Sequence, residues 1–293
     1  MNMEKRIIHP EGPQFSRLIT GVWRWDQLSH QQVQEMIATS LDLGITSFDH
    51  ADIYGDHTVE EKFGRVIQQQ TGLRNQMELI TKCGIKFPSS RRPDNKSHIY
   101  DTSFKHIIWS AENSLKLLHT DHLDLLLIHR PDPLSDPEEI AAAFDQLKQQ
   151  GKVLHFGVSN YSAAQFRLLQ RYCTMPLVTN QLELSIVAVQ PFFNGDVDAL
   201  MEFKASPMAW SPLAGGKLLE DQEKFETLAR AVNLTVPQLA LSWLLLHPSN
   251  IFPVLGTTRP NRLKDQAKVM GMPALDKDNW FAVLQASRGY DIP

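Results

Sequence analysis

Hydrophobic and polar positions along this chain follow two periods that take turns from one end to the other. Short apolar runs predict strands at residues 15–21, 46–48, 77–81, 123–128, 153–158, 177–179, 207–210 and 251–255. Between them, apolar residues recur every three or four positions. Val33, Met36, Ile37, Ser40 and Leu41 share one face of a predicted helix, and Ile107, Ile108, Ala111, Leu115 and Leu118 share another. Punctuation falls where these periods change. Ser29 with Gln32 and Ser162 with Gln165 have the spacing of capping boxes, Asp136 followed by Pro137 starts a helix, and Gly44 stops one. The run at 123–128 is apolar except for Asp124, as expected of a parallel strand covered on both faces.

Eight strands alternating with helices, with no break in composition, predict an α/β fold: one (β/α)8 TIM barrel spanning residues 1–293 as a single domain. A doubly wound open sheet is the competing arrangement. It lacks support, because no G-x-G-x-x-G follows a strand and no G-x-x-x-x-G-K-[ST] occurs. The polar connection at residues 86–101 is longer than most βα loops and is a candidate lid or substrate loop. A net charge of −4 without a basic run argues against a nucleic-acid surface. Cys83 and Cys173 form no C-x-x-C, so neither a disulfide framework nor a structural zinc site is expected. No signal-peptide core and no apolar run of about 18 residues is present, which predicts a cytoplasmic protein.

In a barrel the C-terminal strand ends share one face, and the chemistry-bearing residues cluster at those ends. The stretch T-S-F-D-H-A-D-I-Y-G at residues 46–55 delivers Asp49, His50, Asp52 and Tyr54 as a strand opens into a loop. The next two strands end on Lys82 and His129. Asp49, Tyr54, Lys82 and His129 are therefore expected to meet in one pocket. Taken singly, each has a plainer role: a structural ion pair, a loop histidine, a packed tyrosine.

The ordered set F-D-H-A-D-I-Y-G, L-I-T-K-C-G, L-D-L-L-L-I-H-R-P-D-P, G-V-S-N, N-Q-L-E, W-S-P-L-A-G-G and G-T-T-R-P-N-R resembles the aldo-keto reductase superfamily over essentially the whole chain. The pattern is most similar to bacterial members of unassigned substrate. That resemblance implies NADPH-dependent reduction of aldehydes or ketones on a (β/α)8 barrel, with a catalytic tetrad of Asp49, Tyr54, Lys82 and His129. It makes Tyr54 the proton donor that a carbonyl needs as hydride arrives and charge develops on its oxygen, with Lys82 bringing the phenol into range, Asp49 holding the lysine charged and His129 orienting the carbonyl. It also implies a cofactor site. Ser159, Asn160 and Gln181 would bind the nicotinamide carboxamide and Trp210 would stack on the ring. Ser211 to Lys217, including Leu213 and Gly215, would cover the pyrophosphate. Thr257, Arg259 and Arg262, with Gly256 beside them, would take the adenosine 2′-phosphate, as arginine and a helix N-terminus can.

Some positions depart from the family pattern. His50 stands where many members carry Thr, Trp210 where Tyr or Phe is commoner, Gly256 where some carry Lys, and Asp265-Gln266 where a Glu-Asn pair lies near adenine. Trp23, with Tyr54 and His129, is expected to shape the substrate pocket, while Trp25 fits pocket or core equally. Two alternatives stay open: an NADPH-binding, redox-responsive regulatory subunit, and a metal-dependent hydrolase built on His129, Asp49, His50 and Asp52. The resemblance implies a small-molecule carbonyl substrate; the residues predict no metal and no membrane partner, and they leave the oligomeric state open.

Overall fold

A computed structural model describes residues 3–219 and 223–291. In chain order the elements are β1 (Lys5–Ile7), β2 (Gln14–Ser16), β3 (Ile19–Gly21), α1 (His30–Asp42), β4 (Ser47–Asp49), a kinked turn α2 (Tyr54–His57), α3 (Val59–Gln69), β5 (Glu78–Cys83), β6 (Ile85–Lys86), β7 (Ile99–Tyr100), α4 (Phe104–Leu118) and β8 (Leu125–Ile128). There follow α5 (Pro137–Gln149), β9 (Phe156–Ser159), α6 (Ala163–Tyr172), β10 (Leu177–Glu183), α7 (Asp196–Glu202), β11 (Met208–Trp210), α8 (Glu223–Ala231), α9 (Val236–Leu246), β12 (Phe252–Leu255), α10 (Pro260–Ala267) and α11 (Lys277–Arg288). Strands β3, β4, β5, β8, β9, β10, β11 and β12 form a closed barrel in that order. Each pair is parallel, and Val254 opposite Ile19 closes the ring. The expected (β/α)8 barrel is thus observed. No described helix is long and apolar enough to cross a membrane.

The predicted punctuation forms as hydrogen bonds. Ser29 and Ser162 accept from the backbone N–H groups of Gln32 and Gln165, whose side chains return the contact. Asp136 caps α5 with Pro137 in its first turn. Two expectations need correction. The run at 15–21 is two strands, because Gln14–Ser16 turns back to pair with Lys5–Ile7 and only Ile19–Gly21 enters the barrel. That hairpin seats Ile8 and Phe15 against the barrel's interior residues and plugs its bottom. The connection at 86–101 is likewise not plain loop: Ile85–Lys86 and Ile99–Tyr100 pair as a ribbon at its base, where Lys86 bonds Asp101.

Strand alternation then sets what reaches the barrel mouth. Ile19, Ile80, Leu125, Leu127, Val178, Met208, Phe252 and Val254 fill the interior with the plug, while Phe48, Leu79, Leu126, Phe156 and Val158 pack outward under the helices. Counting by twos along each strand, Asp49, Lys82, His129, Ser159 and Trp210 share the inward phase. Gln181 does not share phase with Val178. A register shift between Leu177 and Asn180 in the β9–β10 pairing brings it there instead.

The helical layer rests on close backbone contact at Gly64 in α3. A Cβ built there would lie 1.9 Å from the Leu117 carbonyl oxygen of α4 and 2.8 Å from Leu118 Cα. Neither atom is a flexible side-chain end that could turn aside. Gly64→Ala is therefore expected to cost about 3 kcal/mol through forced separation of α3 from α4, lowering the melting temperature by roughly 6–12 °C. A melt within 2 °C of the parent would mean the helices part freely.

Candidate active site

Lys82 is the hub of the barrel mouth. Its Nζ donates to Asp49 Oδ2 at 2.7 Å, to the His50 carbonyl at 2.8 Å and to the Tyr54 hydroxyl at 2.9 Å. Lys82 and Asp49 are only 1% and 2% exposed, so neither charge could be held there without the other. Burial pulls the lysine pKa down, but Asp49 and Tyr54 outweigh it and the net shift is upward, which keeps the ammonium charged. For Tyr54 the balance corrects the expectation of an acidified phenol. Burial raises its pKa by more than Lys82 lowers it, so the hydroxyl keeps its proton. The His129 ring stands edge-on to Tyr54 with centroids 6.0 Å apart. Burial, then the charges of Lys82 and Arg130, push its pKa well below the ordinary histidine value, so the imidazole is neutral at pH 7.

Tyr54 is delivered by an unusual turn. Gly55, Asp56 and His57 all have positive φ, near 57°, 53° and 64°, and two consecutive non-glycine residues in that region carry strain. Local bonds hold them. His57 Nδ1 donates to the Asp52 carbonyl at 2.7 Å, Thr58 Oγ1 donates to the Gly55 carbonyl at 2.6 Å, and Phe87 stacks on the His57 ring with centroids 5.1 Å apart. The loop at 86–101 is thereby braced against the turn that carries Tyr54.

The residues between Asp49 and Tyr54 face elsewhere. His50 is buried edge-on against Phe63, and its pKa falls to about 3 through burial and then Lys82. Asp52 accepts from Ser110 Oγ at 2.6 Å, with its pKa raised to about 8 chiefly by burial. Glu60 nearby accepts from Thr81 and Ser114. The four donors of the hydrolase alternative do not converge, and no group of three or more His, Cys, Asp or Glu among the described residues is placed to hold a metal ion.

On the opposite side of the mouth the expected cofactor residues form a hydrogen-bonded chain. Trp210 Nε1 donates to Asn160 Oδ1 at 2.8 Å, Asn160 Nδ2 donates to Ser159 Oγ at 2.8 Å, and Ser159 Oγ donates to the Gln181 carbonyl at 2.9 Å. Gln181 Nε2 then reaches Asp49 Oδ1 at 2.8 Å. Both sides of the mouth are thus joined through one carboxylate, a link between residues 132 positions apart that no local pattern signals.

The expected phosphate loop contains four left-handed residues, Ser211, Ala214, Gly215 and Gly216. A side chain at Gly216 or Gly256 would meet nothing within 4 Å, so the backbone there is open to a ligand. Leu213 packs partly against the core, and the Lys217 side chain lies outside the described residues. Thr257 is buried, its Oγ1 accepting from the Arg259 N–H. Arg259 and Arg262 are exposed at the start of α10, with no carboxylate partner among the described residues. Gln266, on the same helix, is buried with its Oε1 unpartnered. Open backbone, free guanidiniums at a helix N-terminus and an orphaned amide oxygen fit a phosphate-bearing dinucleotide. The tryptophan pair divides. Trp23 is 55% exposed, and Trp25 is core at 1%, donating to the Thr257 carbonyl. Arg24, not anticipated from sequence, ties the first loop to the phosphate loop by donating to the Gly215 carbonyl at 2.9 Å.

The family model described as the Aldo/keto reductase family matches residues 17–287. An uncharacterised oxidoreductase of Bacillus subtilis, YcsN, is 43% identical over 99% of this chain and 100% of its own length. A 6-dehydroglucose reductase of Agrobacterium fabrum is 40% identical over 98% of this chain and 99% of its own. Among solved structures, a thermostable aldo-keto reductase in complex with the inhibitor epalrestat shares the fold with a TM-score of 0.84 at 24% identity, covering 97% of this chain and 100% of that one.

Proposed function

This chain belongs to the aldo/keto reductase family and is an oxidoreductase; from that premise we propose that it reduces an aldehyde or ketone to the alcohol with NADPH, Tyr54 supplying the proton. The observation that carries this reading is the buried Lys82 ammonium shared between the Asp49 carboxylate and the Tyr54 hydroxyl. Aldo-keto reductases generally use NAD(P)H, and the bound dinucleotide supplies the hydride. The chain's own residues do the rest. Tyr54 holds its proton in the resting site and gives it to the carbonyl oxygen as charge develops there. Lys82 acts at that moment, since a cation 2.9 Å from the phenol oxygen stabilises the phenolate being formed. Asp49 keeps Lys82 charged, and Gln181 fixes Asp49. Neutral His129 has a buried Nδ1 with no partner. An N–H there would lack an acceptor, so its proton belongs on Nε2, where it can orient the substrate oxygen.

Ser159, Asn160 and Gln181 are positioned to hold an amide, each keeping unspent donor or acceptor capacity after the internal chain is made. Trp210 offers the ring face. Arg259 and Arg262, at the α10 N-terminus with Thr257, favour the 2′-phosphate and hence NADPH over NADH. Arg262→Ala should weaken NADPH binding about tenfold or more while changing NADH far less. Equal losses in a fluorescence titration would mean that Arg262 does not meet the 2′-phosphate. The 6-dehydroglucose reductase relative makes an aldehyde on a sugar-like chain the first substrate to try. The reading is tested by titrating the protein with NADPH and then following carbonyl-dependent loss of nicotinamide absorbance. Tight binding with turnover supports it; binding without turnover across aldehydes, ketones and dicarbonyls would favour a regulatory subunit.

A further inference from the structure

Arg130 is a half-buried cation with nothing to hold. It follows His129 at the end of β8, and its guanidinium has neither a carboxylate nor a hydrogen-bond partner among the described residues. Other loop cations are spoken for: Arg24 is bonded to the Gly215 carbonyl, Arg91 to Glu61, and Lys86 to Asp101. Arg130 instead lies over the Trp210 ring, 5.8 Å from its centroid. Its charge also reaches both rings: after burial and Lys82 it adds to the lowering of the His129 pKa, and at Tyr54 it offsets a small part of the rise that burial causes. A planar fork of five donors therefore stands over the indole, next in sequence to the carbonyl-orienting histidine and close enough for its charge to reach the proton donor. A ligand oxygen is the natural partner for such a fork, and the reacting carbonyl oxygen is already served by Tyr54 and His129.

Resting on the reductase reading above, we infer that Arg130 selects the substrate by binding an oxygen on the carbon next to the reacting carbonyl. Its substrates are then 2-hydroxy aldehydes and 2-oxo acids rather than plain aldehydes or ketones. A hydroxyl accepts one N–H of the fork and a carboxylate accepts two. Each exchanges an unpaired, partly desolvated guanidinium for a charge-assisted hydrogen bond that a methyl group in the same place cannot make.

Two near-isosteric pairs test this with NADPH: 2-hydroxypropanal against 2-methylpropanal, and pyruvate against 3-methylbutan-2-one. In the parent protein the oxygen-bearing member of at least one pair should have the higher kcat/KM by about tenfold or more, the ratio expected of one charged hydrogen bond. Preference in the first pair assigns the acceptor as a hydroxyl, and preference in the second as a carboxylate. Arg130→Gln should collapse that ratio toward one, the loss falling on the oxygen-bearing member. Arg130→Lys should restore part of any carboxylate preference. A parent that turns over both members of each pair equally overturns the inference while leaving the reductase intact. So does an Arg130→Gln loss that is equal within each pair, which would place the arginine's effect on Tyr54 and His129, or one that appears as weaker NADPH binding by fluorescence. A parent that binds NADPH but reduces none of the four overturns this inference; the reductase reading falls only if the wider panel of aldehydes, ketones and dicarbonyls is left unreduced as well.

Discussion

Tyr54→Phe is expected to lower turnover by about 10²–10⁴-fold, the contribution typical of a positioned general acid, while NADPH affinity stays within about threefold of the parent. The argument is local. The variant keeps the ring, its place in the turn and its edge-on contact with His129, and removes only the hydroxyl that Lys82 contacts. Lys82 still donates to Asp49 and to the His50 carbonyl, so the buried ammonium is not orphaned and the fold should hold. The lost term is large because a unit cation about 3 Å from a forming phenolate, at an effective dielectric near 20, contributes about 5 kcal/mol. The resting phenol is held protonated by burial, so Lys82 stabilises the product of proton transfer without ionising the acid beforehand. Single-turnover oxidation of bound NADPH with a saturating aldehyde reads the effect directly. Undiminished oxidation in Tyr54→Phe would remove the tyrosine from the mechanism.

Lys82→Met should lose both turnover and stability. It leaves Asp49 buried with Gln181 as its only side-chain donor among the described residues, and breaking one side of a buried pair costs about 3–5 kcal/mol. The size of that penalty comes from the uncompensated carboxylate, so it should be recoverable. Lys82→Met combined with Asp49→Asn is expected to melt well above Lys82→Met alone yet to remain as inactive. Denaturant melts of the parent, both singles and the double provide the cycle. If the double melts no higher than Lys82→Met, the ion pair is not what makes the single variant unstable. The raised lysine pKa sets the pH window. The pair's contribution is fully present below the ordinary lysine value and is lost only as pH climbs through the higher folded value, so neutral-pH melts sample it intact.

Much of this molecule was legible before any coordinates. Strand and helix periods, two capping boxes and the Asp136-Pro137 start are local features, and local hydrogen bonds realise them where the periods change. A closed parallel barrel follows from eight such repeats, and alternation by twos then sends Asp49, Lys82, His129, Ser159 and Trp210 to one mouth. Other features required the fold. Asp49, His50 and Asp52 look equivalent in sequence, yet of their side chains only that of Asp49 meets Lys82, because the His50 ring goes to Phe63 and the Asp52 carboxyl to Ser110. The β10 irregularity that brings Gln181 to Asp49 depends on pairing with β9, which residues 177–183 do not encode alone. The phenol's higher pKa is a matter of burial against one nearby cation, and both are tertiary quantities. Arg130 in sequence is one more residue of a strand-end loop; its lack of a partner and its place over Trp210 arise only when β8 and β11 face each other across the mouth. Periodicity and caps act within a few residues and so are written in the chain, whereas desolvation, charge pairing and long-range register arise between segments far apart in it.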